Sequence, residues 1–512
     1  MLALIENNSK ENIIDTTAVQ KLYEEAFPRT GIEMMNFEKR VYAASISLGD
    51  SLTRAQIERA HTDPIFVAEA ISAARRVSQV TLRHKGNRTT TILLLGGTRI
   101  VVSTPYLRQQ QRRRGPRRQK RHANGSGCYP VLAMLGIADR ATAATRSEIA
   151  LHVVQTASYS EAAHMLERRG LGCDISTLVR VTTSVANKSL TLRDAALQAA
   201  LRLPVSTNGP LCGKRVRVSL DGGRVRTRKN NRGRRTAKGR HTFTTPWREP
   251  RVLVIDILDE EGKADRLSLP LYDATLGDAD ATWALLIGYL RLLGAAHALI
   301  IEFIADGAPW IWDQIKKLAK LAEIPPERIV EVIDFYHASE HLFKTIELCK
   351  GMPKAKRQHL YHRLRHALRH DKDGVEQILN QMRALAVTRR GKAINKALNY
   401  FETHRERMRY HKLDEMKLPA GSGQVESAIR RVVNLRFKAP GTFWTEKCVG
   451  SLLHLRAAFK SGRWDEIFEG VLLGKFLIPD FEPSHTSVTT HSAEVIVLPQ
   501  PSVSTSQRRK AS

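Results

Sequence analysis

Three acidic residues occupy positions where carboxylates could bind metal ions. Asp221 follows the strand-like run Arg215–Leu220, Asp306 follows an apolar run ending at Ile304, and Glu426 lies at the predicted start of a helix. A glycine directly follows each aspartate and lets the chain turn. Two Mg²⁺ or Mn²⁺ ions prefer oxygen ligands and can activate an attacking oxygen and stabilise a leaving one at a phosphate. The sequence therefore predicts a two-metal catalytic site formed by Asp221, Asp306 and Glu426.

Each acid taken alone has an ordinary structural interpretation. An aspartate before glycine at a strand end is usually a turn residue, and a glutamate in a first helical turn is favoured by the helix dipole. Asp334 and His337 follow the next predicted strand. Asp334 could cap the next helix, or the pair could orient the scissile phosphate or hold a ligand in place.

The charge of the chain indicates a polyanionic partner. The sequence has 81 Lys and Arg against 51 Asp and Glu, a formal net charge of +30. Nucleic acid is the commonest partner of such a chain. The five cysteines are scattered without a CxxC pair, which favours a reducing cytosol over disulfides or a cysteine zinc site. No signal peptide or membrane-spanning run is indicated, so we expect a cytoplasmic, nucleoid-associated protein.

Alternating strand and helix signals surround the two aspartates. In chain order they are strands Arg215–Leu220, Arg251–Leu258 and Arg266–Leu271, helix Asp280–Leu293, strand Leu299–Ile304, helix Trp310–Leu321 and strand Arg328–Ile333. Three hairpin-connected strands followed by helix, strand, helix, strand is the order of an RNase H-like α/β domain. We expect this catalytic core over residues 206–337.

An all-helical insertion, residues 338–416, is predicted to separate this core from Glu426. Its apolar residues recur at helical spacing in Lys354–His370, Gly374–Val387 and Ile394–Tyr410. Helices Gln424–Arg436 and Thr445–Lys460, within residues 417–478, would then return Glu426 to the sheet.

Four regions flank the predicted catalytic parts. Residues 1–78 are predicted to be helical, and residues 79–127 to hold short strands (Gln79–Arg83, Thr89–Leu95 and Arg99–Ser103) and a basic arm. Gly96 and Gly97 would form a hairpin turn between the last two strands. Residues 128–205 are predicted to be a helix-turn-helix region, and residues 479–512 a disordered tail.

The helix-turn-helix prediction depends on three short helices. They are Ser147–Ala157, a second helix capped by Ser160, and Thr177–Asn187 capped by Ser176. If the third helix recognises DNA, Thr177 and Arg180 point from its N-terminal part. An ordinary helical bundle fits the same pattern equally well.

Clustered cations give further candidates for phosphate contact. They are Arg112, Arg113 and Arg114 in the arm, Arg226, Arg228, Lys229, Arg234 and Arg235 in a cationic loop, and Arg430, Arg436 and Lys438 beyond Glu426. Solvated charge runs are the alternative interpretation. Aromatic side chains could also stack on bases; the positions favour a core role for Trp310 and Trp312 and leave Trp444 open.

Four sequence blocks together resemble DDE transposases of bacterial insertion sequences. The blocks are Leu220-Asp-Gly-Gly, Ile304-Ala-Asp-Gly-Ala-Pro-Trp-Ile-Trp, Ile333-Asp-Phe-Tyr-His-Ala and Gly421-Ser-Gly-Gln-Val-Glu, the last continued by Arg436-Phe-Lys-Ala-Pro-Gly and Trp444. The chain looks most like the Kra-type elements within the wider Mutator-like group, over roughly residues 95–460.

The resemblance implies an RNase H-like domain with a helical insertion before the glutamate. It implies Asp221, Asp306 and Glu426 as the metal triad, and Asp334 and His337 as the Asp-x-x-His signature of the group. It also supports a DNA-binding region ahead of the catalytic domain. Relatives often carry a cysteine-containing knuckle where this chain is arginine-rich with Cys128 alone, so no zinc is expected.

The sequence therefore predicts a transposase that binds the terminal inverted repeats of its element, double-stranded DNA. It would cut the ends by hydrolysis and join the 3′-hydroxyls to target DNA, as a homodimer or larger assembly that holds two ends. Two alternatives are a DNA-binding protein or repressor without catalysis and a metal-dependent nuclease without strand transfer.

Overall fold

The computed structural model describes residues 17–109, 127–237, 239, 241–386, 391–439 and 441–481. Arg112, Arg113 and Arg114 of the predicted basic arm lie outside these ranges, as do residues 482–512 of the predicted tail. The described chain begins with three helices, α1 (Thr17–Glu24), α2 (Gly31–Thr62) and α3 (Pro64–Val77). Asp63 caps α3, and the predicted helical character is confirmed for the described part of this region.

A β-hairpin follows these helices. It is formed by β1 (Leu82–Leu93) and β2 (Arg99–Gln109), and the two-residue strand β3 (Gly127–Cys128) pairs with β2 to complete a three-stranded sheet. The predicted Gly-Gly turn is confirmed, with Gly97 at φ 94°. The strands predicted at Gln79–Arg83 and Thr89–Leu95 are one strand instead, because a bulge between His84 and Asn87 lets pairing with β2 continue.

Four helices precede the central sheet: α4 (Pro130–Met134), α5 (Ala143–Gln155), α6 (Tyr159–Arg168) and α7 (Ile175–Ala200). The predicted caps Ser160 and Ser176 are wrong. Ser158 and Asp174 instead accept the backbone N–H three residues further on. Asp174 displaces Ser176 from this role because its carboxylate is the stronger acceptor, and the Ser176 hydroxyl donates to it at 2.7 Å.

Nine strands build the central sheet and a ribbon that extends from it. They are β4 (Arg215–Gly222), β5 (Val225–Arg226), β6 (Lys229–Arg235), β7 (His241–Thr244), β8 (Trp247–Arg248), β9 (Arg251–Leu258), β10 (Leu271–Thr275), β11 (Ile300–Ala305) and β12 (Ile329–Ile333). The five-stranded sheet has the order β10-β9-β4-β11-β12. Strand β9 runs antiparallel to both of its neighbours, β10 and β4, whereas β11 runs parallel to both β4 and β12. The chain is therefore a mixed α/β protein.

Two segments between β4 and β11 differ from the prediction. The third strand is Leu271–Thr275 and not Arg266–Leu271, because Pro270 cannot donate to a sheet and Asp265 forms a turn with Leu267 and Ser268. The predicted cationic loop between β4 and β9 is a ribbon in which β5 pairs with β8 and β6 with β7.

The remaining helices lie around the sheet and in the insertion. Beside the sheet are α8 (Ala279–Leu292), α9 (Pro309–Trp312), α10 (Ile315–Leu321) and α11 (Phe335–Ile346). The insertion continues with α12 (Lys354–His370), α13 (Gly374–Leu385), α14 (Gly391–Thr403) and α15 (Tyr410–Glu415). The chain then returns through α16 (Gly423–Ala428), a π-helical segment (Ile429–Asn434), α17 (Leu435–Phe437), α18 (Glu446–Lys460) and α19 (Trp464–Leu473). The predicted helical insertion is confirmed in its described residues.

The two faces of the sheet carry separate hydrophobic clusters. Val218 and Leu220 belong to the cluster that includes Leu286 of α8. Val252 and Val254 belong to the other cluster, which includes Val432 of the π-helical segment together with residues of α5 to α7 and α18. Within the part of the chain that the structure describes, no helix is both long and apolar enough to cross a membrane.

Candidate active site at the carboxyl edge of the sheet

Three aspartates lie at the ends of three neighbouring strands. Asp221 is the penultimate residue of β4, Asp306 directly follows β11, and Asp334 directly follows β12. In the parallel pairing Ile304 lies opposite Ser219, and Ala305 lies opposite Ile333. Continuing both registers places Asp306 in line with Asp221 on one side and Asp334 on the other, and the strand pleat gives all three the same face. The sheet therefore brings the strand-end aspartates together at one edge.

Glu426 approaches this edge from a helix that packs on the sheet. It lies in the first turn of α16, which contacts both β4 and β9. Val425 and Ala428 are buried in the hydrophobic cluster below the helix, while the side chain of Glu426 is 56% exposed. The apolar residues at helical spacing thus fix the face of α16, and Glu426 points toward solvent beside them.

Gly223 leaves room for the close approach of this helix to the end of β4. A Cβ atom at Gly223 would lie 3.1 Å from a methyl carbon of Val433 in the π-helical segment. A larger side chain would press the helix away from the strand that carries Asp221. The second glycine after Asp221 is therefore explained by packing.

The electrostatics of Asp221 show that the acids are coupled. The pKa of Asp221 is raised to about 6, mainly by burial and also by the neighbouring carboxylates of Asp306 and Glu426, against the opposing effects of the Gly222 N–H and of His337. The Gly222 backbone N–H donates to the Asp221 carboxylate at 2.7 Å. Asp221, Asp306, Glu426 and His337 therefore belong to one electrostatic site.

Asp334 joins two elements of this site. Its buried carboxylate accepts the backbone N–H groups of Tyr336 and His337 at 2.7 and 2.9 Å, which caps α11. It also accepts the backbone N–H of Ser422, which precedes α16. Asp334 thus fixes the start of α11 relative to the start of the helix that carries Glu426, which agrees with the predicted capping alternative.

His337 lies between the strand edge and Glu426. Its Nε2 atom is 3.7 Å from Oε1 of Glu426, and its side chain is 38% exposed. An imidazole in this position can orient the glutamate and, when protonated, form an ion pair with it. The structure therefore brings His337 into the site.

The helical insertion contributes a tyrosine that sequence reasoning missed. The ring of Tyr400 in α14 stacks on His341 of α11, with centroids 3.8 Å apart. It also covers Gly307, where a Cβ atom would come within 2.3 Å of the ring. The Tyr400 hydroxyl is buried without a hydrogen-bond partner among the described residues. Burial and the nearby Asp306 and Asp334 raise the pKa of Tyr400, so the hydroxyl remains a donor.

The donor chemistry of the acids fits a divalent cation. Asp221, Asp306 and Glu426 supply hard carboxylate oxygens, and a cation would relieve the repulsion that contributes to the raised pKa of Asp221. Within the described ranges, no three or more His, Cys, Asp and Glu side chains lie close enough together to hold a metal ion. The acids therefore share an edge without forming a closed ligand set.

Most described candidates for DNA contact are accessible. Arg180, Arg226, Lys229, Arg235, Arg430 and Lys438 are exposed. Thr177 and Arg228 are half-buried. The guanidinium of Arg180 donates a hydrogen bond to the Asp139 carbonyl. The backbone of Arg234 lies in β6, and its side chain is outside the described part of the chain. Whether these residues contact DNA stays a prediction.

The structure contradicts the predicted phosphate contact of Arg436. Arg436 is fully buried, lies 4.4 Å above the Trp444 ring and donates to the Ala157 carbonyl. Burial lowers the pKa of Arg436 to about 10. Trp444 itself is 6% exposed, and the Arg436 guanidinium also lies over the Tyr159 ring of α6. This pair therefore joins α17 to α6 and is not accessible to nucleic acid.

No protein-family profile matches the chain, and no curated protein sequence matches it.

Proposed function

We propose that this chain is a metal-dependent DNA transposase whose central sheet is an RNase H-like catalytic fold. The observation that carries the proposal is that Asp221, Asp306 and Glu426 lie at the carboxyl edge of a sheet with the order β10-β9-β4-β11-β12, near enough for Asp306 and Glu426 to raise the pKa of Asp221. The formal charge of +30 supports DNA as the substrate. The sequence blocks that resemble DDE transposases of bacterial insertion sequences support the reaction type.

The chain's own residues have distinct roles in this reaction. Asp221, Asp306 and Glu426 would hold divalent cations, which when bound increase the acidity of the attacking water or hydroxyl and stabilise the leaving oxygen. Asp334 fixes the start of α11 relative to the start of the Glu426 helix by accepting three backbone N–H groups. His337 orients the Glu426 carboxylate from 3.7 Å. The Lys and Arg side chains on the ribbon and after Glu426 contact DNA phosphates and so position the DNA.

Asp306→Asn tests the proposal most directly. It removes one carboxylate charge at the centre of the edge and conserves the shape of the side chain. We expect the wild-type protein to nick a labelled duplex that bears the end of the flanking element, in Mg²⁺ or Mn²⁺. The variant should lose at least 100-fold in cleavage rate and keep wild-type binding of the same duplex in a gel-shift assay.

Asp313→Asn is the matched control, because Asp313 is exposed and lies only seven residues further along the chain. If Asp306→Asn and Asp313→Asn both cleave the duplex at the wild-type rate, the metal-triad proposal is refuted. Cleavage by the wild type without joining of the 3′-ends to target DNA would favour the nuclease alternative. Binding without cleavage by wild-type protein in either metal would favour the DNA-binding alternative.

A further inference from the structure

The ribbon between β4 and β9 carries exposed aromatic side chains among its cations. Trp247 is 58% exposed and lies opposite Arg226 in the β5–β8 pair. Because directly opposed residues share one face of an antiparallel pair, the two side chains meet, with the guanidinium 5.1 Å from the Trp247 ring. The sequence pattern of cations alone did not indicate this aromatic surface.

A second aromatic contact lies further along the ribbon. Phe243 is 38% exposed, and Phe443 in the loop after α17 is 44% exposed, with ring centroids 5.2 Å apart. Arg228 lies 4.4 Å above the Phe243 ring. We name Trp247, Phe243, Phe443, Arg226 and Arg228 the ring cluster. It combines exposed rings with guanidinium groups, and all of its residues except Phe443 lie on the ribbon.

The two parts of the ring cluster differ in their structural role. Phe243 and Phe443 contact each other and so fasten the ribbon to the loop before α18, next to the backbone bond from Arg228 to the Trp444 carbonyl. No other ring stacks with Trp247 in the described part of the chain. Burial of apolar surface therefore does not account for Trp247, whereas it accounts for Trp312 and Trp444, which are 5% and 6% exposed.

The ring cluster lies beyond the strand end that carries Asp221. Arg226 follows Asp221 by five residues, so it lies within about 17 Å of Asp221 along the strand direction. Trp247 is opposite Arg226 on the returning strand, four residues before β9 begins at Arg251. A DNA strand whose phosphate lies at the three acids could therefore reach Trp247 with only a few nucleotides.

We infer that the ring cluster binds unpaired bases of single-stranded DNA next to the active site, with Trp247 as the stacking surface. Aromatic rings stack on every base, and the accompanying arginines bind the flanking phosphates, so the site does not need a particular sequence. Duplex DNA hides its base faces in the stack and can meet only the cations. The inference rests on the proposed function, since it places the unpaired strand beside the site of cleavage.

Binding of a fluorescent 15-nucleotide oligo-dT and of a duplex of equal length tests the inference by anisotropy at one salt concentration. Trp247→Ala should weaken oligo-dT binding about tenfold and duplex binding less than about twofold. Trp247→Phe keeps a ring and should restore most of the oligo-dT affinity. Tyr23→Ala removes an aromatic side chain that is 90% exposed elsewhere and should leave both affinities unchanged.

The inference is overturned if Trp247→Ala binds oligo-dT as tightly as wild type, or if the wild type does not bind oligo-dT. Equal losses for oligo-dT and duplex would assign Trp247 to the structure of the ribbon, and tighter binding of oligo-rU than of oligo-dT would assign the surface to RNA. None of these measurements requires cleavage. If Trp247→Ala selectively loses oligo-dT affinity but the wild-type protein never cuts DNA, the binding of unpaired bases at Trp247 stands and the proposed function fails.

Discussion

The chemistry of the site depends on how individual carboxylates are placed. Asp221, Asp306 and Asp334 occupy equivalent positions on adjacent strands, yet their environments differ. Asp334 is buried and accepts three backbone N–H groups, whereas Asp221 accepts one, from Gly222. Backbone donors satisfy the charge of Asp334, which suits a structural role. The charge of Asp221 remains opposed by burial and by its acidic neighbours, which suits a cation ligand.

Tyr400→Phe tests whether the hydroxyl of Tyr400 contributes to cleavage. The substitution keeps the ring that stacks on His341 and covers Gly307, but it removes the unpartnered donor beside Asp306 and Asp334. If this hydroxyl donates to a phosphate oxygen of the bound strand, we expect single-turnover cleavage to slow about tenfold or more. The thermal midpoint should stay equal or rise, because a buried hydroxyl without a partner costs stability.

Tyr361→Phe provides the control for this measurement, because Tyr361 packs against Phe343 in the same insertion away from the acids. Unchanged cleavage by Tyr400→Phe, with end binding intact, would limit Tyr400 to a packing role. A fall in cleavage that is matched by a fall in end binding would point to substrate binding and not to the reaction step.

At the scale of elements, strands and helices with a strong apolar pattern were predicted well and polar segments were not. Strand Arg251–Leu258 and helix Lys354–His370 have the predicted bounds, since burial on one or both faces fixes their periodicity. The ribbon has no such pattern: its strands β6 and β7 are held by pairing with each other, and their cations could equally belong to a loop. The third strand was misplaced because a turn at Asp265 and Pro270 was not recognised.

One buried carboxylate joins four elements and gives a test of stability. Asp273 of β10 accepts hydrogen bonds from Arg193 of α7 at 2.9 Å and Tyr289 of α8 at 2.9 Å, and lies 3.0 Å from His454 of α18. Burial alone would raise the pKa of Asp273, but the charges of Arg193 and His454 hold it well below its usual value. We expect Asp273→Asn to lower the free energy of unfolding by about 3–5 kcal/mol at neutral pH.

The contribution of Asp273 to the free energy of unfolding should decrease in acid. Because the folded pKa of Asp273 is depressed, its contribution is fully present above the unfolded pKa of about 4 and is lost as the pH falls below that value. In urea unfolding, the difference between wild type and Asp273→Asn should be smaller at pH 3.5 than at pH 6. Asp194→Asn is the control, since Asp194 pairs with the same Arg193 but is 60% exposed and should cost less than about 1 kcal/mol. A difference independent of pH would contradict the role given to Asp273.

At the scale of the whole molecule, the excess of positive charge should control the affinity for DNA. Each phosphate contact releases counterions, so the logarithm of the binding constant falls linearly with the logarithm of the salt concentration. Lys229 and Arg235 are exposed on β6 of the ribbon. Replacing both by glutamine should reduce the magnitude of this slope by about 2 for a duplex of fixed length if each contacts one phosphate.

Lys316→Gln with Lys317→Gln makes the same change of net charge on α10, where both lysines are exposed. If the two double variants give equal slopes, the ribbon has no special role and the overall charge alone sets the affinity. A smaller slope for the ribbon variant alone would place the DNA path along the ribbon and toward Asp221.

The sequence by itself determined the local features of this protein: which strongly apolar segments form strands and helices, which acids end the strands, and the cationic character of the chain. These features follow from side-chain periodicity and composition over short stretches. The tertiary structure alone decided that β11 lies between β4 and β12, that Tyr400 covers Gly307, that Arg436 is buried on Trp444 and that Trp247 stands exposed beside Arg226. The first two, and the hydrogen bond from Arg436 to the Ala157 carbonyl, depend on contacts between residues far apart in the chain. The exposure of Trp247 depends on the absence of a covering element among the described residues. Short-range patterns contain no information about either.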